Sequence, residues 1–109
     1  MRYLHLLIFI LIIGCNDVNE AKLKIVFLGD SITQQGADLD IGFISLLKNN
    51  LSKSDFELIG KGISGNKISD LLVRYETDVL DLNPDLVFIY IGINDVWHKY
   101  DFGTGSDID

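Results

Sequence analysis

Cysteine, proline, methionine and tryptophan each occur once in these 109 residues. A single cysteine excludes an intrachain disulfide framework and any multi-cysteine zinc site. One proline and ten glycines are too few for a fibrous or low-complexity chain. Positive charge is scarce as well: nine Lys and Arg face 16 Asp and Glu, a net charge of -7. That balance argues against a nucleic-acid partner, which needs a basic face to meet phosphates. Apolar residues are plentiful at 48%, too many for a disordered tail. The length allows one domain at most. A mean hydropathy of +0.26 is high for so acidic a chain, and the excess lies at the N-terminus.

Arg2 precedes an apolar run, Leu4–Ile13, interrupted only by His5 and followed by Gly14 and Cys15. Ten residues cannot span a bilayer as a helix, which takes about 20. A basic start, a short apolar core and a small residue at its end describe a secretory signal. Ile12-Ile13-Gly14-Cys15 resembles a bacterial lipobox. The resemblance implies cleavage before Cys15, lipid on Cys15, and a protein anchored outside the cytoplasm at the bacterial cell envelope. Residues 1–14 are therefore expected to be a lipoprotein signal peptide and 15–22 a tether. Removing 1–14 takes away Arg2 and no acid, leaving eight basic and sixteen acidic residues, net -8. An acidic domain gains nothing from anionic lipid, so the acyl chains would hold it to the membrane.

The rest alternates strand and helix. Lys24–Gly29 is a continuous β-branched apolar run, the pattern of a strand buried on both faces. Gln34–Ile41 is polar. Phe43, Leu46, Leu47 and Leu51 recur at helical spacing and predict a helix over Gly42–Ser52. Phe56–Ile59 reads as a short strand, followed by Gly-rich Gly60–Asn66. Ile68, Leu71, Leu72, Tyr75 and Val79 predict an amphipathic helix that Asn83-Pro84 stops. Leu86–Ile91 is a third strand, and Val96–Asp109 shows no period. The order β-α-β-α-β predicts an α/β fold with a parallel sheet and right-handed crossovers.

Ligands of open parallel sheets bind beyond the carboxyl ends of the strands. Those ends carry Gly29-Asp30-Ser31, Gly60-Lys61-Gly62-Ile63-Ser64-Gly65-Asn66, and Gly92-Ile93-Asn94-Asp95. In a 2-1-3 sheet order, Ser31 would sit between a glycine-rich loop and an amide side chain. A hydroxyl flanked by N–H donors suits acyl transfer, whose tetrahedral intermediate needs preorganised donors for its oxyanion.

Gly29-Asp30-Ser31, Gly62 and Gly92-Ile93-Asn94-Asp95 resemble the first three sequence blocks of the SGNH (GDSL-type) hydrolases, over residues 24 to about 98. The resemblance implies a three-layer α/β/α sandwich, flavodoxin-like, with a parallel sheet in the order 2-1-3-4-5, of which 23–109 would hold about three strands. It implies a serine ester hydrolase acting through an acyl-enzyme on small esters, O-acetylated glycans or lysophospholipids. Ser31 would be the nucleophile. The Ser31 and Gly62 N–H groups and the Asn94 amide would form the oxyanion hole, supported by Gly29, Asp30, Gly92 and Asp95. No metal or cofactor is implied, and the oligomeric state is left open. Two departures stand out. Gly60 holds a position where the family often has Asn. The family's C-terminal Asp-x-x-His block, which comes after two further strands and supplies the base, is absent, and serine is a weak nucleophile without one. The chain is therefore expected to be an inactive N-terminal part of a larger enzyme.

Other readings apply to the same residues. Asp30 and Ser31 are favoured helix N-caps, Gly62 could serve a tight turn, and Asn94 could be a turn residue. His98 suits a surface or substrate-rim position better than a catalytic one. Trp97 and Tyr100 fit either a pocket wall or a cover for the sheet end. Asp38, Asp40, Asp78 and Asp81 read as solvated charges. Gly60-x-Gly62-x-x-Gly65 matches the dinucleotide fingerprint GxGxxG, and a non-catalytic carbohydrate-binding or interaction module on the same fold is a further alternative.

Overall fold

A computed structural model describes residues 21–105. The expected signal peptide, Cys15 and most of the expected tether lie outside the described residues, as do residues 106–109. The elements are β1 (Leu23–Gly29), α1 (Ser31–Asp38), α2 (Phe43–Asn50), β2 (Phe56–Gly62), α3 (Ile68–Asp78), a 3-10 turn at Leu80–Leu82, β3 (Leu86–Tyr90) and α4 (Ile93–Asp101). The strands form one parallel sheet in the order β2-β1-β3, the order expected for the first three strands.

Alternation along β1 builds two cores. Ile25 and Phe27 point to one face and pack with Ile44 of α2 and Leu58 of β2. Val26 and Leu28 point to the other and pack with Leu71 and Val79. Helices therefore cover both faces, giving three layers around a central strand buried on each side. The outer strand β3 is less covered, with Leu86, Phe88, Ile89 and Tyr90 exposed. Lys24 fixes where β3 begins: its N–H donates to Asp85 Oδ2 at 2.7 Å, and its carbonyl accepts from Asp85 N–H at 2.9 Å.

Two helices depart from expectation. The stretch after β1, read only as polar, holds most of α1. Its buried residues are Thr33 and Gly36, so it shows no apolar stripe. Close backbone approach seats it instead. A Cβ at Gly62 would collide with the backbone of Asp30, Thr33 and Gln34 in the first turn of α1, and one at Gly60 would meet Ala37 Cβ. The second departure is α4, where no period was visible. Its buried residues are the polar Asn94 and Asp95, while Ile93, Val96, Trp97 and Tyr100 are exposed. The usual polarity of a surface helix is reversed there.

Smaller shifts have equally local causes. The strand expected over Phe56–Ile59 continues to Gly62, because glycine fits a strand that a helix overlies. The third helix ends at Asp78 rather than at Asn83. Asn83 then takes a left-handed φ of 47° after the 3-10 turn and before Pro84.

Gly62→Ala should therefore cost the whole protein about 1–3 kcal/mol, the usual range for overpacking, read from its urea unfolding midpoint. An unchanged midpoint would show that α1 does not lie against β2 in this way.

Candidate active site

The ladder register sets the site. Gly29 is opposite Gly62 on β2 and opposite Tyr90 on β3. All three strands thus end at one edge, and the residues following them emerge side by side.

Ser31 follows β1 directly as the first residue of α1 and is half-buried. Fully buried Asp30 caps the helix: its Oδ1 accepts from Ile32 N–H at 3.0 Å, and its carbonyl accepts from Gln34 N–H at 3.0 Å. Its other oxygen, Oδ2, is buried without a partner among the described residues. The Ser31 hydroxyl likewise has no protein partner among the described residues. Asp30 therefore does the capping and Ser31 keeps its hydroxyl unengaged.

On β2, Gly62 reaches the site, but its own N–H faces away from β1. In a parallel ladder a residue bonds to the residues before and after its partner, leaving that partner's groups on the far side. Gly29 fits this pattern, since its carbonyl accepts from Ile63 N–H at 3.1 Å. The amides beyond Gly62 have distinct fates. Ser64 N–H donates to Gln34 Oε1 at 2.8 Å and Asn66 N–H donates to Ile63 O at 3.2 Å. The N–H of Gly65 has no acceptor among the described residues.

After β3, Gly92 turns the chain with a φ of 125°, a conformation that favours glycine, and α4 begins. Asn94 is buried, and its Nδ2 donates to Asn66 O at 2.9 Å. Asn94 thus meets the β2–α3 loop, whose Ser64 is tied to α1. Fully buried Asp95 serves structure: both its oxygens accept from Ile68 N–H, at 3.2 and 3.1 Å, pinning the start of α3.

This arrangement counts against dinucleotide binding. Gly60 and Gly62 lie within β2 and not in the turn that opens a helix. A carboxylate, Asp95, occupies the N-terminus of α3, where that fingerprint would hold a pyrophosphate. His98 lies on α4 rather than in a loop. Its ring meets Phe102 edge-on at 5.5 Å, and its charge acts on Asp70 of α3. Trp97 and Tyr100 are 56% and 82% exposed.

Ile32 and Thr33, which follow Ser31 on α1, line an apolar cleft of about 360 Å³ together with Phe27, Phe43, and the outer strand residues Phe88, Ile89 and Tyr90. The described residues contain no cluster of three or more His, Cys, Asp or Glu arranged for a metal. No helix among them is long and apolar enough to cross a membrane.

Three residues escaped the sequence reading: Gln34, Asn66 and Arg74. Arg74 sits on α3 with its Nη1 at 2.5 Å from Asp78 Oδ2 and its Nη2 at 2.9 Å from Gly29 O. Asp78 is correspondingly not a solvated charge, since it pairs with Arg74 and, at 3.6 Å, with Lys61. A signal existed: 71, 74 and 78 share one helical face, and Leu71 is core.

These features define an α/β protein with a free serine hydroxyl at the carboxyl end of its central strand. The chain belongs to the GDSL-like Lipase/Acylhydrolase family, whose model matches residues 27–105. It is 40% identical over 92 residues to an acetylxylan esterase of Geobacillus stearothermophilus, covering 72% of this chain and 42% of that one. It is 28% identical over 102 residues to the uncharacterized lipoprotein YqeF of Bacillus subtilis (strain 168), covering 87% and 41%. The crystal structure of the acetyl xylan esterase AlAXEase superposes with a TM-score of 0.71 at 52% identity, covering 77% of this chain and 44% of that one. The chain spans less than half the length of each.

One titration tests the α3 end of the site. The Asp70 carboxyl is held below the ordinary aspartate range, chiefly by the Lys67 N–H at 2.7 Å, then by the Lys67 ammonium at 3.1 Å and the charge of His98. A depressed carboxylate stabilises the fold above its unfolded pKa, and that stability is lost as pH falls through the folded value. The melting-temperature deficit of Asp70→Asn should be present at pH 7 and fade as pH drops below about 4. A deficit independent of pH would contradict the assignment.

Proposed function

We propose that the whole protein is a lipid-anchored serine ester hydrolase of the bacterial envelope, with O-acetylated glycans as its preferred substrate class. The observation that carries this reading is the unengaged Ser31 hydroxyl at the start of α1, directly after the central strand, whose two neighbouring strands lead into the Gly65 loop and into Asn94. Family membership supports the ester chemistry, and the acetylxylan esterases among its relatives support an acetyl ester on a sugar. The lipobox-like Ile12–Cys15 and the lipoprotein relative support the anchor.

In this mechanism Ser31 Oγ attacks the ester carbonyl and gives its proton to a histidine of an Asp-x-x-His block. The one Asp-x-x-His spacing in these 109 residues, Asp95-Val96-Trp97-His98, lies on α4; there both Asp95 oxygens accept from Ile68 N–H and the His98 ring meets Phe102 edge-on, so this reading assigns the base to neither. The carbonyl oxygen becomes negative in the tetrahedral intermediate. The Ser31 N–H, the second Asn94 amide hydrogen and a loop amide hold it, each such donor contributing about 2.7–4 kcal/mol in comparable sites. We assign the loop donor to Gly65 in place of Gly62, because the register directs the Gly62 N–H away from β1 while the Gly65 N–H is free. Collapse of the intermediate expels the alcohol, the sugar hydroxyl in a glycan. Water, activated by the same base, then releases acetate and restores Ser31.

Hydrolysis of p-nitrophenyl acetate and of acetylated xylan by the full-length protein tests the chemistry. Ser31→Ala should lower turnover of both by at least about a thousandfold, and unchanged turnover refutes the assignment. Metabolic labelling with radioactive palmitate tests the anchor. The precursor should take up label and Cys15→Ala should not; equal labelling would place the lipid elsewhere.

A further inference from the structure

Arg74 makes more polar contacts near the site than any other described side chain, although it touches none of the residues assigned to the reaction. Its Nε donates to Asn66 Oδ1 at 2.8 Å, its Nη1 to Lys61 O at 3.1 Å and to Asp78 Oδ2 at 2.5 Å, and its Nη2 to Gly29 O at 2.9 Å. Those acceptors belong to the β2–α3 loop, the end of β2, α3 itself and the end of β1. One planar cation therefore fixes the spacing between the strand that leads into Ser31 and the loop that carries Gly65 and Asn66. Asn66 passes this on, since its carbonyl accepts from Asn94 Nδ2 at 2.9 Å. An unbroken path runs from Asp78 through Arg74 and Asn66 to Asn94.

We propose that Arg74 is the positioning residue for the oxyanion-binding side of this site. It acts through Asn66 and rests on the reading of Ser31 and Asn94 given above. Two physical points support a positioning role. Guanidinium presents its N–H groups in a rigid fork and can hold several acceptors at fixed angles, which an ammonium cannot. Asp78 also neutralises the charge. The Arg74 side chain is only 13% exposed, and a cation so covered needs a partner. With that partner present, the remaining donors are available to hold backbone carbonyls and Asn66. Donors for an oxyanion are effective only when fixed before the charge develops. Loosening Arg74 should therefore weaken the transition state more than substrate binding.

The test uses the full-length protein with p-nitrophenyl acetate, comparing wild type, Ser31→Ala, Arg74→Lys, Asn66→Ala and the Arg74→Lys/Asn66→Ala double variant. Circular dichroism confirms folding at the assay temperature. Arg74→Lys keeps the charge and its pairing with Asp78 but loses the fork. It should lower kcat about 10- to 100-fold with KM within about twofold, the signature of an interaction expressed in the transition state. Asn66→Ala keeps Arg74 and interrupts the path, so it should reproduce that loss, and the double variant should be little worse than either single one. If Arg74→Lys does not fold, Asn66→Ala decides alone. Wild-type kcat in either folded variant overturns the proposal, as do losses that multiply in the double variant. If Ser31→Ala keeps its turnover, the underlying ester-hydrolase reading fails, and the Arg74 proposal fails with it.

Discussion

The Gly29 carbonyl is the point from which the rest of the site is measured. It ends the central strand, and both its acceptor directions are used: Ile63 N–H at 3.1 Å and Arg74 Nη2 at 2.9 Å. The first bond fixes where β2 gives way to its loop. The second ties that strand end to a helix on one face of the sheet. On the chain's own continuation stand Asp30 and Ser31, so the position of the hydroxyl and the position of the loop share one origin. Carbonyls held twice in this way move little. That matters for chemistry that tolerates errors of only a fraction of an ångström.

Buried carboxylates do much of the remaining positioning. Asp30 holds the first turn of α1 and Asp95 holds the first amide of α3. Each sits at a helix N-terminus, where unpaired N–H groups and the helix dipole favour negative charge. The two caps are the first and last of the acidic residues in the family-like motifs. Their work leaves Ser31 and one Asn94 hydrogen uncommitted.

Legibility in the sequence followed burial. β1 was readable because both its faces are core, which makes its apolar run continuous. Leu71 of α3 and Val79 just after it were readable because they too are core. α1 was not, because backbone proximity to Gly60 and Gly62 seats it and leaves no periodic side-chain signal. α4 was not, because it buries Asn94 and Asp95 and exposes its aromatics. Of the residues proposed for the reaction, Ser31 and Asn94 were picked out by motif and strand order alone. Gly62 was found as a position, but only the ladder register reveals which way its N–H faces. Asn66 and Arg74 were invisible because their roles depend on a crossover bringing residues 29, 61 and 74 together. No local pattern records such a meeting.

Covalent trapping is the most direct test of the central claim, that Ser31 is held as a nucleophile at this edge. Full-length protein would be treated with diethyl p-nitrophenyl phosphate, which phosphorylates activated serines, and its peptides mapped by mass spectrometry. The account predicts one diethylphosphoryl group, on the peptide containing Ser31, appearing in step with loss of ester hydrolysis. Label on a different residue accompanying that loss would contradict it, as would full inhibition with Ser31 unmodified.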